Sequence, residues 1–379
     1  MSVLNPRRLL FVDDEVNILG GLRRVLRRCR RDWSFDFVTS GEQALEAHGQ
    51  VSYDAVVSDM RMPGMDGAEL VKRVHRLDPS GLRVGLSGYS ETRRLAQSAD
   101  YLHQFWTKPC QLEALLASLT VAFEMGDLLS PAVRAELCGL RDLPCHPETL
   151  QSFSHELSKT SPNLGLLVSI AHDDLGLYCQ LLRIFNTYFL GHPRELGYQA
   201  GLKEALALEP LRAFLSATTD RPTDERARPC GFHTRALCWL APRLARLDGL
   251  RQADLRTTWV AARLTEMPIH LQRANPLLDK ALSSSPETAR RASQYLMSLW
   301  GCPRTVMEAT GTLENEAIDL GRHPSQYVWL ANSLLGPALP PAAQAWTSQN
   351  PQAKGLACQA LRAAESALWT DHDWASERA

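Results

Sequence analysis

Five short apolar runs alternate with five amphipathic stretches across the first 125 residues, and this alternation restricts the fold more than any other feature. Leu9–Val12, Phe35–Val38, Ala55–Val57, Leu82–Leu86 and Gln104–Thr107 read as strands. Val16–Cys29, Gly41–Ala47, Gly67–Val74, Glu91–Gln97 and Gln111 to about Glu124 read as helices. In the first of these, Leu19, Leu22, Val25, Leu26 and Cys29 fall on one side. Strands that are apolar throughout are buried on both faces, and strand–helix alternation supplies the covering layers. The pattern therefore predicts a doubly wound, five-stranded parallel sheet. Such sheets bind ligands outside the carboxyl ends of their strands.

Breaker residues at Gly126–Pro131 mark the end of this unit, with a linker expected over 126–135. From Ala132 onward helical spacing dominates, as in Thr149–Leu157, Leu164–Ile170, Leu175–Phe185, Arg235–Ala245, Thr257–Leu264, Glu287–Trp300 and Arg304–Ala309. Thr218–Pro229 reads as an exposed loop. The chain thus divides into an α/β unit over 1–125, an all-helical unit over 136–335 and a helical tail over 336–379. The tail opens on a breaker cluster, GPALPPAA, before a helix at Ala353–Leu368, and carries Trp346, Trp369 and Trp374, which packing against the helical core explains best.

Charge balance, 41 Lys+Arg against 42 Asp+Glu, argues against nucleic acid as the main partner. The one dense basic run, Arg23, Arg24, Arg27, Arg28, Arg30 and Arg31, interleaves with apolar positions and reads as the solvated face of a helix. The apolar run at the start meets Asp13, Asp14 and Glu15 at once, so neither a signal peptide nor a membrane span is expected. Nine cysteines without a CxxC pair read as reduced thiols of a cytoplasmic protein.

Chemistry concentrates at the strand ends. Asp13 and Asp14 follow the first strand and Asp59 follows the third. The fold brings these ends together, and three convergent carboxylates must bind a cation or change their proton affinity. All-oxygen ligation suits a hard ion such as Mg²⁺. Ser87 ends the fourth strand with a hydroxyl and Lys108 follows the fifth with an ammonium. Acid cluster, hydroxyl and lysine together make a place for a phosphoryl group.

The segments FVDDE, SDMRMPGMDG, GLSGYS and FWTKP resemble the receiver domain of two-component response regulators, a flavodoxin-like fold, over residues 1–125. The resemblance implies that Asp59 accepts a phosphoryl group from a sensor histidine kinase or phosphotransfer protein. It implies that Asp13, Asp14, Asp59 and the Met60 carbonyl hold Mg²⁺, that Ser87 and Lys108 meet the phosphoryl oxygens, and that Lys108–Pro109 is cis. Phe105 stands where the family keeps an aromatic switch, often tyrosine; the ring can swing but has no hydroxyl to donate. Phosphorylation is then expected to move Ser87 and Phe105 and to reshape the surface of the fourth helix, fifth strand and fifth helix.

The helical half resembles the HDOD family, regulatory relatives of the HD metal-dependent phosphohydrolases. The resemblance rests on Leu143–Pro144, on Leu181–Leu182–Arg183 with Asn186, Phe189 and Gly191, and on the turn Trp300–Gly301–Cys302–Pro303. An active HD site needs His-Asp ligands. Here Thr265–Glu266 and Ala309–Thr310–Gly311–Thr312 stand in the corresponding places, His172–Asp173 falls ahead of the LLR helix with Asp173 or Asp174 as its cap, and His233 reads as a partly buried histidine. His372–Asp373 in the tail has no visible partners. A catalytically inactive output domain acting on an unknown protein partner is therefore expected, with a homodimer compatible and no enzyme activity beyond receiver phosphotransfer. Two alternatives stay open: a receiver-controlled HD phosphohydrolase such as a cyclic-dinucleotide phosphodiesterase, and a DNA-binding regulator.

Overall fold

The computed structural model describes residues 6–88, 101–140, 142–186, 215, 223–227, 231–310, 323–336 and 340–365. Strands β1 (Arg8–Val12), β2 (Ser34–Val38), β3 (Ala55–Asp59), β4 (Leu82–Ser87) and β5 (Gln104–Thr107) form one parallel sheet in the order β2-β1-β3-β4-β5. Every residue of β3 is buried, as an apolar central strand requires. Helices α1 (Val16–Cys29), α2 (Gly41–Gln50), α3 (Gly67–Leu77) and α4 (Leu112–Asp127) connect or follow the strands. The helix expected at Glu91–Gln97 lies outside the described residues. Ser40 and Asp66 cap α2 and α3 by accepting from the backbone N–H groups of Gln43 and Glu69, which starts each helix at a defined residue.

Helix α1 corrects one expectation. Leu19 and Leu26 are buried and Leu22 is partly so, but Val25 and Cys29 are exposed. The buried stripe is narrower than the sequence spacing suggested; α1 packs against edge strand β2. Arg24, Arg27, Arg28 and Arg31 face solvent, while Arg23 lies over the Phe37 ring and Arg30 over Trp33.

The β3–α3 turn is tightly built. Gly64 adopts φ 73°, a conformation that favours glycine. A Cβ on Gly67 would overlap the Asp59 carbonyl oxygen and lie 2.7 Å from the Met60 Cα. Gly67→Ala is therefore expected to cost about 2–3 kcal/mol in chemical denaturation. Unchanged stability would show that α3 does not abut the end of β3.

The break between the halves is three residues, 128–130, rather than the expected 126–135: α4 runs to Asp127, and α5 (Pro131–Gly139) starts at once with Ser130 as its cap. Twelve further α-helices are described: α6 (Pro147–Leu157), α7 (Leu164–Asp173), α8 (Leu175–Asn186), α9 (Phe232–Leu247), α10 (Gln252–Arg263), α11 (Met267–Ala274), α12 (Pro276–Ser283), α13 (Pro286–Leu299), α14 (Arg304–Thr310), α15 (Pro324–Leu335), α16 (Pro341–Gln349) and α17 (Gln352–Glu365). No described helix is long and apolar enough to cross a membrane. The eight described cysteines are all free thiols.

One buried cluster runs without interruption from Leu9 and Phe11 of the sheet through Phe123 of α4 to Trp259, Trp329 and Ala360 of the helical half. The two halves therefore share a core, and helices α5, α8 and α13 lie against β4, β5 and α4 of the α/β half. The tail is packed: Trp346 is buried and donates to Asp248 at 3.0 Å, alongside Tyr327 at 2.8 Å. Trp369 and Trp374 lie outside the described residues.

Candidate functional site

Strand register sets the site. Val12 pairs with Ser58, Asp59 with Leu86 and Ser87 with Thr107, so β1, β3, β4 and β5 end nearly level. The side chains that follow those ends must share one edge of the sheet. Asp13, Asp14 and Asp59 each offer an oxygen, all within 4.8 Å of one another. Among the described residues this is the one cluster of three or more potential metal-ligating side chains.

Lys108 crosses the cluster, its Nζ lying 2.8 Å from Asp13 Oδ2 and 3.0 Å from Asp59 Oδ2. Asp13 and Asp59 are deeply buried, with side chains 2% and 9% exposed. Burial pushes the Asp59 carboxyl above its ordinary value; the hydrogen bond and charge of Lys108 pull it down without reversing the shift, and Asp13 pushes it further up. Burial opposes the charge on Lys108, yet its hydrogen bonds to Asp13 and Asp59 prevail and hold the ammonium above its ordinary value. The backbone anchors both ends of this bridge: Asp13 Oδ1 accepts from Glu15 N at 2.9 Å, and Lys108 N donates to Ser87 O at 2.9 Å. The Lys108–Pro109 peptide is cis.

The donor set fits a hard divalent cation. It is made only of oxygens, and one ammonium cannot balance three carboxylates. The Met60 carbonyl accepts from Gly67 N at 3.3 Å and keeps a second lone pair. Ser87 Oγ donates to the Gly88 carbonyl at 3.1 Å, a local bond that a stronger acceptor nearby would replace. Phe105 is buried, opposite Gly85 of β4.

The histidines and acids of the helical half are placed differently. His172 is buried against Trp259, with ring centroids 4.8 Å apart, and Asp173 pairs with Arg235 at 3.2 Å. Asp174 caps α8: Oδ1 accepts from Leu177 N at 3.1 Å and Oδ2 from His146 N at 2.7 Å. Thr265 donates to the Ala262 carbonyl at 2.8 Å, and Glu266 accepts from Thr234 Oγ1 at 2.5 Å. His233 is exposed rather than partly buried, 2.7 Å from Asn332 Oδ1. Among the described residues, no three histidine, cysteine or acid side chains of the helical half come close enough to share a metal ion. Gly311, Thr312, Phe189, Gly191, His372 and Asp373 lie outside the described residues.

Sequence reasoning missed the polar residues that join the halves. His103 accepts from Arg83 N at 3.0 Å through Nδ1, which leaves the Nε2 proton for the Cys138 carbonyl at 2.8 Å. Arg83 reaches the same carbonyl at 3.0 Å. Arg183, singled out within LLR, donates to the Leu102 carbonyl and to Asp142, both at 2.9 Å. Polar residues at the start of an apolar strand were the available signal.

Residues 9–120 match the family described as "Response regulator receiver domain". The hydrogenase transcriptional regulatory protein HoxA of Bradyrhizobium diazoefficiens is 34% identical over 119 residues, 31% of this chain and 24% of HoxA. The transcriptional regulatory protein GlrR of Escherichia coli K12 is 30% identical over 120 residues, 31% of this chain and 27% of GlrR. The chain thus spans about a quarter of the length of these relatives. Among solved structures, the signal receiver domain of an HD domain-containing protein from Pseudomonas fluorescens Pf-5 shares 28% identity, covering 33% of this chain and 91% of that one, with a TM-score of 0.31.

Proposed function

With residues 9–120 a response regulator receiver domain, we propose that the chain is a two-component switch in which Asp59 takes a phosphoryl group from a histidine kinase or phosphotransfer protein. The observation that carries this reading is the triad of carboxylates within 4.8 Å, two of them bridged by one lysine, at the level carboxyl ends of the strands. An Asp59 oxygen attacks the phosphorus of a phosphohistidine. The P–N bond breaks and the imidazole leaves. Asp13, Asp14, Asp59 and the Met60 carbonyl would hold Mg²⁺, which when bound offsets negative charge on the phosphoryl oxygens. Lys108 leaves Asp59 to pair with one such oxygen, and Ser87 turns from the Gly88 carbonyl to donate to another. Burial of Asp59 limits access of water to the acyl phosphate once it forms.

The helical half acts as a catalytically inactive HDOD output domain that changes its contacts with a protein partner. The engagement of Thr265 and Glu266 in hydrogen bonds within the helical half supports a structural use of positions where HD enzymes place ligands, and Asp174 serves as the cap of α8. The names of HoxA and GlrR favour a second reading, a DNA-binding output, which salt-dependent binding of duplex DNA tests.

Acetyl phosphate with Mg²⁺ is the direct test. Mass spectrometry is expected to show one phosphoryl group per chain, absent in Asp59→Asn and in EDTA. Uptake that survives in Asp59→Asn overturns the reading.

A further inference from the structure

Gln104 is the first residue of β5, 1% exposed, and its side chain makes three bonds. Oε1 accepts from Trp106 Nε1 at 3.1 Å and from Ser118 Oγ of α4 at 3.1 Å. The indole can only donate, so the oxygen must face Trp106, and Nε2 is left to donate to the Ser298 carbonyl of α13 at 3.2 Å. The carboxamide thus spans the two halves of the chain. Its landing point is the last turn of α13, just before Trp300–Gly301–Cys302–Pro303, one of the three segments on which the HDOD resemblance rests. That carbonyl also accepts from Gly301 N at 3.0 Å, and Gly301 holds φ 69°.

We propose that Gln104 is the clasp through which the state of the Asp59 site reaches the helical half: phosphorylation releases its bond to Ser298 and frees the 300–303 turn. The inference rests on the phosphoacceptor reading of Asp59. Strand β5 has four residues, at the sheet edge, and Lys108 follows it directly. Lys108 and Ser87, joined by the Lys108 N to Ser87 O bond, are the groups that must shift toward a phosphoryl group. A strand this short moves as one piece, carrying Trp106 and Gln104. Trp106 and Ser118 belong to the receiver and travel with the Gln104 oxygen. Ser298 belongs to the helical half, so the 3.2 Å bond to it, the longest of the three, takes up the displacement. The β5–α4 face is thereby committed to a partner within the same chain.

Amide hydrogen exchange of the full chain, with Mg²⁺ and with or without beryllofluoride, tests this. In the wild type, beryllofluoride is expected to speed exchange across 296–302 about tenfold, the loss of one buried hydrogen bond. In Gln104→Met the segment is expected to exchange fast already and to be indifferent to beryllofluoride, while phosphoryl uptake at Asp59 from acetyl phosphate stays at the wild-type level. Gln104→Glu keeps the acceptor for Trp106 and Ser118 but loses the N–H; it is expected to behave alike and serves if the methionine variant does not fold. Ser118→Ala, which spares the bond to Ser298, is expected to keep the wild-type response. A wild-type response in either Gln104 variant, or none in a wild type that takes up phosphoryl, overturns the clasp. Absence of uptake at Asp59 overturns the phosphoacceptor reading itself, and the clasp with it.

Discussion

Lys108→Met is expected to lose about 3 kcal/mol of stability in metal-free buffer and to regain most of it in saturating Mg²⁺. Lys108 is the cation bridging Asp13 and Asp59, both deeply buried. Removing one partner of a buried pair strands the other charges, which costs about 3–5 kcal/mol. The ammonium is a quarter exposed, which places the value at the lower end. A divalent cation on the same oxygens would restore the balance, so the variant should bind Mg²⁺ more tightly than the wild type, where lysine competes for Asp13 and Asp59. Phosphoryl uptake should nevertheless fall about a hundredfold, because a preorganised cation next to the transferred group is lost. Urea denaturation in EDTA and in Mg²⁺ reads the first effect. An equal loss in both buffers would sever the link between lysine and metal, and no loss would mean that Lys108 does not neutralise the cluster.

Acidification from pH 7 to pH 5 is expected to remove about 2 kcal/mol for each of three buried histidines, His103, His172 and His270. Burial is the main cause in each case. It holds His103 and His172 well below the ordinary value, with Arg83 and Arg263 respectively adding to it, and pushes His270 down to about 4. The unfolded chain takes up protons below about pH 6.5 and the native state does not. Stability is therefore unaffected above that pH and falls as pH drops through the window down to the folded-state value. Asp174 acts in the opposite sense, since burial raises its carboxyl and the native form holds its proton longer. Its contribution begins closer to the ordinary carboxylate range and offsets only the acid end. His172→Leu isolates one term: neither ring nitrogen has a hydrogen-bond partner among the described residues, so leucine replaces the ring without leaving one of them unpaired. The slope of stability against pH between 6 and 5 should become shallower by about 1.4 kcal/mol per unit. An unchanged slope would mean that His172 is protonated in the native state.

The order of the five strands' elements and the grouping of Asp13, Asp14, Asp59, Ser87 and Lys108 were legible because both follow from local pattern. Apolar runs locate strands, and residues just past them must meet at the carboxyl edge of a parallel sheet. Several helices were not legible, for a physical reason that the prolines make plain. Pro131, Pro276, Pro324 and Pro341 were counted with breakers or passed over, yet each stands in the first turn of a helix, where the missing N–H has no partner to lose. A proline interrupts a helix behind it and starts one in front of it, and spacing of apolar residues does not tell which. His233 and Val25 were misplaced because exposure depends on what a neighbouring element covers.

What the sequence determined by itself, then, is the receiver half: its alternation of strands and helices and the acid–hydroxyl–lysine edge, each set by residues a few positions from the strand they serve. Only the tertiary structure decided how the halves meet. The bond from Gln104 to Ser298 joins positions 194 apart, and that from Arg183 to Leu102 joins positions 81 apart. No local periodicity marks such pairs. They exist because a shared core brings polar groups out of water together, and a buried donor without an acceptor costs more than the bond itself contributes. That requirement selects partners by position in space.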